Sequence, residues 1–195
     1  MKRIILASGS PRRRELLKQI GVDFEVKVSD KEEVTSQTVP EEIVKELSRQ
    51  KAEDILRQLD AQEDVIVIGS DTMISYENEM LGKPKDYEMA LNMLKRLQGN
   101  THQVYTGVTA MVRQNGEVKI ISFVEKTDVT MWKLSEEQIR DYLAMGESMD
   151  KAGAYAIQGR GTILIEKIQG DYNNVVGLPV ARLYQELRKV GIEIC

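Results

Sequence analysis

Apolar residues in this chain alternate between short continuous runs and segments with helical spacing. The run Ile4–Ala7 predicts a first β-strand, which leads through a turn of small residues into a helix that begins at Pro11. Pro40 begins a second predicted helix, and the β-branched run Val65–Gly69 predicts a buried central strand. Because strands and helices alternate, the pattern predicts an α/β fold.

The second half of the chain contains a long predicted hairpin. Two alternating runs, His102–Val112 and Val118–Met131, flank Asn115-Gly116, which is the strongest short hairpin signal. We therefore expect a mixed sheet in one domain of residues 1–195, with two lobes around a cleft as the alternative arrangement. The remaining predicted elements are the strands Phe24–Val28 and Ile163–Ile165 and the helices that begin at Asp86, Ser135 and Pro179.

The composition narrows the classes of protein to consider. A net charge of −4 argues against nucleic-acid binding through a basic surface. No apolar run approaches the roughly 20 residues that span a bilayer, and the N-terminus has no signal-peptide cleavage pattern. The only cysteine is Cys195, which excludes an internal disulfide. These features favour a cytoplasmic protein that binds neither nucleic acid nor a membrane.

Absent residue types also limit the chemistry. His102 is the only histidine, so the chain lacks the ligands of a zinc site. Neither a Walker A lysine signature nor a serine-nucleophile elbow is present. A metal in this protein would take oxygen ligands, which favours magnesium or manganese.

The turn after the first strand has the features of an anion site. Ser10 is a preferred N-cap residue, and Arg12 and Arg13 stand in the first turn of the helix, where the dipole disfavours cations. The free N–H groups of a helix N-terminus suit an anion, so these arginines indicate a phosphate-like ligand. A solvated basic helix start is the alternative interpretation.

Two further segments contain candidate functional groups. Asp71 directly follows the buried strand, where it is either a strand-end cap or a functional carboxylate. Lys83 lies between a glycine and a proline, which present it on a constrained loop. Cations and carboxylates together suit phosphoryl chemistry, because polyphosphate charge must be held while water is positioned. The candidates are Arg12, Arg13, Lys51, Lys83 and Lys151 with Glu33 and Asp71.

The segment Asp150–Gly159 combines a carboxylate, the ammonium of Lys151, several small residues and the amide of Gln158. Small residues let the backbone approach a ligand, and an amide both donates and accepts hydrogen bonds. A tight turn with Tyr155 in the core is the alternative. The segment Gly170–Pro179 is interpreted mainly as structural.

Five motifs in this order closely resemble those of the Maf family, over essentially the whole chain. The family comprises nucleoside triphosphate pyrophosphatases, and its fold is similar to that of the inosine triphosphate pyrophosphatases. The resemblance therefore implies a mixed, strongly twisted sheet flanked by helices, with a deep cleft. The motifs are residues 6–17, Ser70-Asp71-Thr72, Gly82-Lys83-Pro84, residues 150–159 and residues 170–179.

The resemblance implies a catalytic role and a substrate branch. Asp71 matches the family's catalytic proton acceptor, and Arg12, Thr72 and Gln158 match three positions that separate its branches. Arg-Thr-Gln is similar to the branch that hydrolyses dTTP, UTP and some modified pyrimidine nucleotides. The branch that acts on 7-methyl-GTP carries Trp, Gln and Glu instead. A glutamine amide can pair with O4 and N3–H of a pyrimidine, which is consistent with this assignment.

The resemblance also implies hydrolysis to the monophosphate and pyrophosphate, with magnesium or manganese held by Glu33 and Asp71. A homodimer is implied too. A regulatory role in septum formation through protein contacts, suggested by the family's older name, is the alternative function. The implied phosphate-binding residues are Ser8, Ser10, Arg13, Lys51, Lys83 and Lys151.

Overall fold

The structure is a computed structural model that describes residues 3–195. These residues form two compact units. The first contains the chain up to Asp71 together with Thr106–Glu125 and Gly177–Cys195, and the second contains Thr72–Tyr105 and Lys126–Val176. The expectation of one domain with a central cleft stays a prediction.

A seven-stranded mixed sheet confirms the predicted fold class. Its strand order is β2-β1-β3-β5-β6-β7, with β4 paired to β3. β1 pairs in parallel with β2 and β3, whereas the β3–β4 and β6–β7 pairs are antiparallel. The strands are β1 (Arg3–Leu6), β2 (Glu25–Val26), β3 (Val65–Tyr76), β4 (Glu79–Leu81), β5 (Thr101–Gln114), β6 (Glu117–Met131) and β7 (Ile165–Gln169).

Apart from α5 (Tyr172–Val176), which the sequence does not predict, the helices begin at or next to the predicted residues, because their start signals are local. Pro11 and Pro40 occupy first helical positions, and Asp86 accepts a hydrogen bond from the Met89 N–H at 2.8 Å. Among residues 3–195, no helix is long and apolar enough to cross a membrane. The helices are α1 (Pro11–Gln19), α2 (Pro40–Arg57), α3 (Tyr87–Leu97), α4 (Glu136–Ala144), α5 (Tyr172–Val176) and α6 (Val180–Lys189).

The predicted strand Ile163–Ile165 is wrong. Residues Gly159–Leu164 form a 3₁₀ helix, and β7 begins only at Ile165. A Cβ at Gly161 would lie 2.0 Å from the Ala156 carbonyl oxygen, so the backbone folds back tightly at this point. An apolar triplet carries no signal of such a turn, since periodicity does not separate short strands from other buried segments.

Helix α2 lies very close to the sheet within the first unit. A Cβ at Gly69 of β3 would lie 2.1 Å from the Ser48 carbonyl oxygen, and a Cβ at Gly107 of β5 would lie 2.1 Å from that of Val44. Alternate residues of a strand face the same side, so Gly69 and Asp71 both face α2. The two glycines therefore set the distance between α2 and the carboxylate on β3.

A buried histidine lies in the second unit. His102 is fully buried, and its Nε2 lies 2.7 Å from the Tyr155 hydroxyl. Burial lowers the pKa of His102 to about 4, although the nearby charge of Asp128 acts in the opposite direction. The imidazole is therefore neutral in the folded protein at neutral pH.

Acidification is expected to destabilise the protein through His102. An unfolded histidine has a pKa of about 6.5, so below that value the unfolded chain binds more protons than the native state and stability falls. The contribution of His102 should be a loss of about 2 kcal/mol between pH 7 and pH 5. Urea unfolding of the wild type and of His102→Gln at both pH values measures this term. Equal losses in the two proteins would contradict it.

Candidate active site

Lys51 lies between two carboxylates in the first unit. Its Nζ is 2.5 Å from Asp71 Oδ1 and 3.1 Å from Glu33 Oε2. The side chains of Lys51 and Asp71 are 14% and 12% exposed, whereas that of Glu33 is 45% exposed. The close contact of α2 with β3 places Lys51 against Asp71. The structure thus brings together three of the predicted site residues.

Asp71 does not end its strand, contrary to the sequence interpretation. β3 continues to Tyr76, and Asp71 is a buried residue within it. The interpretation as a strand-end cap is therefore wrong, because a residue inside the ladder has its backbone groups already paired. A buried carboxylate in that position needs a polar partner, which Lys51 supplies.

Arg13 is held beside this pair by two hydrogen bonds. Its Nε donates to the Gly177 carbonyl at 2.7 Å, and its Nη1 donates to the Ser8 hydroxyl at 2.9 Å. Desolvation lowers the pKa of Arg13, the charge of Asp71 opposes this effect, and that of Arg12 adds to it. Arg13 is therefore an oriented cation near Asp71 and Glu33 rather than a mobile surface charge.

The rest of the first turn differs in part from the prediction. Ser10 occupies the N-cap position of α1, but its hydroxyl makes no capping hydrogen bond, and its backbone N–H donates to Ser8 Oγ at 3.3 Å. Nε of Arg12 is buried without a hydrogen-bond partner. Arg14 Nη2 donates to the Gly9 carbonyl at 3.1 Å. Arg12 thus retains a donor that a ligand can satisfy.

The loop that carries Glu33 is fastened to one side of α2. Asp54 accepts a hydrogen bond from the Ser29 hydroxyl at 2.7 Å and pairs with Lys31 at 2.5 Å, and Lys31 and then Ser29 hold its pKa below the usual range. Gln50 Nε2 donates to the backbone carbonyl of Val34, the residue after Glu33, at 2.7 Å. These contacts position Glu33 from both sides.

The other predicted residues belong to the second unit. The carbonyl of Gly82, beside the exposed Lys83, accepts a hydrogen bond from the Gly153 N–H at 3.1 Å. The side chain of Lys151 is 14% exposed, and Gln158 is half-buried. The structure therefore ties the Lys83 loop to the segment that contains Lys151 and Gln158. Thr72 also belongs to this unit.

Glu33 and Asp71 suit a magnesium ion that takes only one or two ligands from the protein. Within the part of the chain that the structure describes, no group of three or more His, Cys, Asp and Glu residues could hold a metal. Glu33 and Asp71 supply hard oxygen donors around the Lys51 ammonium. Mg²⁺ is commonly bound by one or two carboxylates, with water and substrate phosphates as its other ligands. Glu33 and Asp71 match that requirement.

Comparison with known proteins identifies the family. The sequence model of the Maf-like proteins matches residues 3–190. The chain belongs to the Maf family. Among its relatives is the dTTP/UTP pyrophosphatase of Lachnoclostridium phytofermentans, which is 53% identical over 100% of this chain and 98% of the relative. The enzyme of the same name from Agathobacter rectalis is 53% identical, with 100% of both chains covered. That of Bacillus cereus is 47% identical over 100% of this chain and 98% of the relative.

Two positions in this Maf protein were missed by the sequence interpretation. The carbonyl of Gly177 accepts hydrogen bonds from Arg13 and, at 3.1 Å, from the Ser70 hydroxyl. This residue belongs to the segment interpreted as mainly structural. Gly69 sets the approach of α2 to β3. A glycine inside a strand pattern is a signal of close backbone approach, and it could have indicated Gly69.

Proposed function

We propose that this Maf protein hydrolyses dTTP and UTP to the corresponding monophosphate and pyrophosphate. The observation that carries the proposal is the Lys51 ammonium between the Asp71 and Glu33 carboxylates, beside the oriented Arg13. The names of the full-length relatives support the same reaction. They favour it over the alternative role in septum formation.

Asp71 is the proposed catalytic base. Its carboxylate orients the attacking water and accepts its proton as the water approaches the α-phosphorus. Burial among polar partners keeps this oxygen in place, since Lys51 holds Oδ1 at 2.5 Å. When substrate phosphates compete for Lys51, Asp71 becomes available to water. The ammonium thus pairs with Asp71 and Glu33 in the resting protein and with phosphate in the substrate complex.

The cations bind the triphosphate. Phosphoryl transfer is catalysed mainly by positioning and by neutralisation of charge, which these groups supply. Arg12 contributes a buried donor without a partner, and Arg13 contributes a guanidinium that Ser8 and Gly177 hold. The proposed phosphate-binding residues are Ser8, Ser10, Arg13, Lys51, Lys83 and Lys151.

Glu33 and Asp71 would hold the divalent metal, magnesium or manganese. When bound, such an ion neutralises phosphate charge and polarises the phosphoryl oxygens. The hydrogen bond from Gln50 of α2 to the Val34 carbonyl keeps the neighbouring Glu33 carboxylate near Lys51. The homodimer, the cytoplasmic location and the absence of nucleic-acid partners remain predictions from the sequence.

Thr72 and Gln158 read the base, with Arg12 as the third residue of the specificity set. The Gln158 amide can donate to O4 of uracil or thymine and accept from N3–H. A carboxylate at that position lacks the donor. This difference makes Gln158 the residue through which base recognition is most directly tested.

Replacing Gln158 by glutamate is expected to lower kcat/KM for UTP roughly ten- to a hundred-fold, because O4 loses its donor and faces a negative charge. Steady-state pyrophosphate release from UTP and dTTP measures the change. Gln169→Glu makes the same substitution at an exposed position of β7 and should match the wild type. Unchanged kcat/KM in Gln158→Glu would exclude base reading by Gln158.

The function itself is tested with a panel of dTTP, UTP, CTP and 7-methyl-GTP, with and without magnesium. Pyrophosphate release from dTTP and UTP in preference to the other two, and only with a divalent metal, is the expected result. Release of pyrophosphate from none of them contradicts the proposal.

A further inference from the structure

We infer that His102 is a positioning residue for base recognition, because it holds the loop that carries Gln158 through the hydroxyl of Tyr155. The inference rests on the proposed function, in which Gln158 reads the base. His102 is fully buried, Tyr155 is 4% exposed, and the two are joined by a 2.7 Å hydrogen bond. Their rings meet edge to face, with centroids 5.3 Å apart.

The loop before Gln158 is fixed at successive residues. The Gly153 N–H donates to the Gly82 carbonyl at 3.1 Å, and the Ala156 N–H donates to the Tyr142 hydroxyl at 3.1 Å. The Ile157 carbonyl accepts a hydrogen bond from the Thr162 hydroxyl at 2.8 Å. Gly153, Ala156 and Ile157 are held through backbone atoms, whereas Tyr155 is held through its side chain. The contacts of these preceding residues therefore fix the position of Gln158.

The backbone next to Tyr155 is in an unfavourable conformation. Gly153 has φ of 67° and Ala154 has φ of 63°, in the left-handed region that residues with a Cβ rarely adopt. For Ala154, such a conformation persists only where the surroundings hold it. The Tyr155 anchor directly follows these two residues. Loss of that anchor removes a restraint that keeps Ala154 in the left-handed region.

A purely structural role does not explain the choice of residues at this site. Burial disfavours the charged form of both groups, lowering the pKa of His102 and raising that of Tyr155, so a neutral pair meets in the core. Nδ1 of His102 is buried without a hydrogen-bond partner. An apolar pair would fill the same space without this desolvation cost. What the polar pair adds is a directional contact to one atom of the loop.

The consequence concerns discrimination between bases rather than the chemical step. Uracil and cytosine present opposite donor and acceptor patterns at position 4 and N3, and an amide rotated by 180° matches cytosine. The amide must therefore be held in one position and one orientation to tell them apart. A shift of Gln158 weakens binding of the correct base and leaves Asp71 and Lys51 in place. Variants that release Tyr155 should therefore change KM for UTP more than kcat.

The test compares UTP and CTP in four variants. Tyr155→Phe removes only the hydroxyl, and His102→Leu removes its partner. Both should reduce the UTP-to-CTP ratio of kcat/KM roughly five-fold or more, mainly through KM. His102→Gln places an amide nitrogen near the Nε2 position and should restore the ratio to within about two-fold. Ile139→Val, in α4 of the same unit, controls for a general loss of packing stability.

The outcomes separate this inference from the proposed function. A wild-type ratio in Tyr155→Phe overturns the positioning role, as does an equal loss in Ile139→Val at matched thermal stability. If His102→Leu does not fold, Tyr155→Phe and His102→Gln still decide the question. Gln158→Glu is assayed alongside: a normal ratio there overturns base reading by Gln158 and this inference with it. Absence of pyrophosphate release by the wild type contradicts the proposed function.

Discussion

Asp71→Asn is expected to lower turnover of dTTP roughly 100- to 10,000-fold while the protein stays folded. An amide cannot accept a proton from the attacking water, and general-base catalysis contributes a factor of this size. The substitution keeps the shape of the side chain, so strand β3 and the position of α2 should change little. Single-turnover and steady-state pyrophosphate release measure the loss, and calorimetric titration of both proteins with dTTP without divalent metal measures binding.

Binding is the informative control for this variant. The dissociation constant of dTTP should stay within roughly ten-fold of the wild type, because the proposed phosphate-binding residues Arg13 and Lys51 are unchanged. Asp141→Asn removes a carboxylate from the exposed side of α4 and should behave as the wild type. Near-normal turnover in Asp71→Asn would remove Asp71 from the mechanism.

Gly69→Ala is expected to damage stability and catalysis together. The added Cβ would meet the Ser48 carbonyl oxygen at 2.1 Å and the Ala52 nitrogen at 2.9 Å, so the backbone of α2 must shift. Overpacking of this kind costs about 1–3 kcal/mol of unfolding free energy. The shift also moves Lys51 away from Asp71, and a displacement near 1 Å can lower kcat/KM about 100-fold.

The comparison that separates the two effects is Leu187→Ala. Leu187 is fully buried in α6, and its truncation costs about 2–5 kcal/mol without adding an atom between α2 and β3. Urea unfolding and kcat/KM are measured on both variants. If Leu187→Ala loses as much activity as Gly69→Ala at equal stability, the distance between helix and strand does not explain the effect.

The sequence predicts the elements of this fold better than the contacts between them. Start signals such as Pro40 and Ser135 act within one helical turn, and the structure confirms both helices. The 3₁₀ helix Gly159–Leu164 was missed because its cause is a close approach to the Ala156 carbonyl, which no local pattern records. Local chemistry was visible in the residue types, whereas tertiary contacts were not.

In the candidate site too, the sequence indicates which charged residues are present but not which groups they contact. Arg13 and Asp71 could be named from motifs and Lys51 from the family resemblance, because charged side chains of these types suit phosphoryl chemistry. The partner of Arg13 is the backbone carbonyl of Gly177, and a carbonyl is present at every residue. The meeting of Lys51 with Asp71 depends on the absence of a side chain at Gly69. A carbonyl gives no distinctive residue type, so the Gly177 contact needed the structure. The glycine at position 69 was a signal of close backbone approach, but only the structure shows that α2 is what approaches it.

The central claim is that water attacks the α-phosphorus, so that the products are the monophosphate and pyrophosphate. Hydrolysis of dTTP in water enriched in oxygen-18, followed by mass spectrometry of both products, tests it most directly. The account predicts one heavy oxygen in the thymidine monophosphate and none in the pyrophosphate. Label in the pyrophosphate, or products that are the diphosphate and orthophosphate, would contradict it.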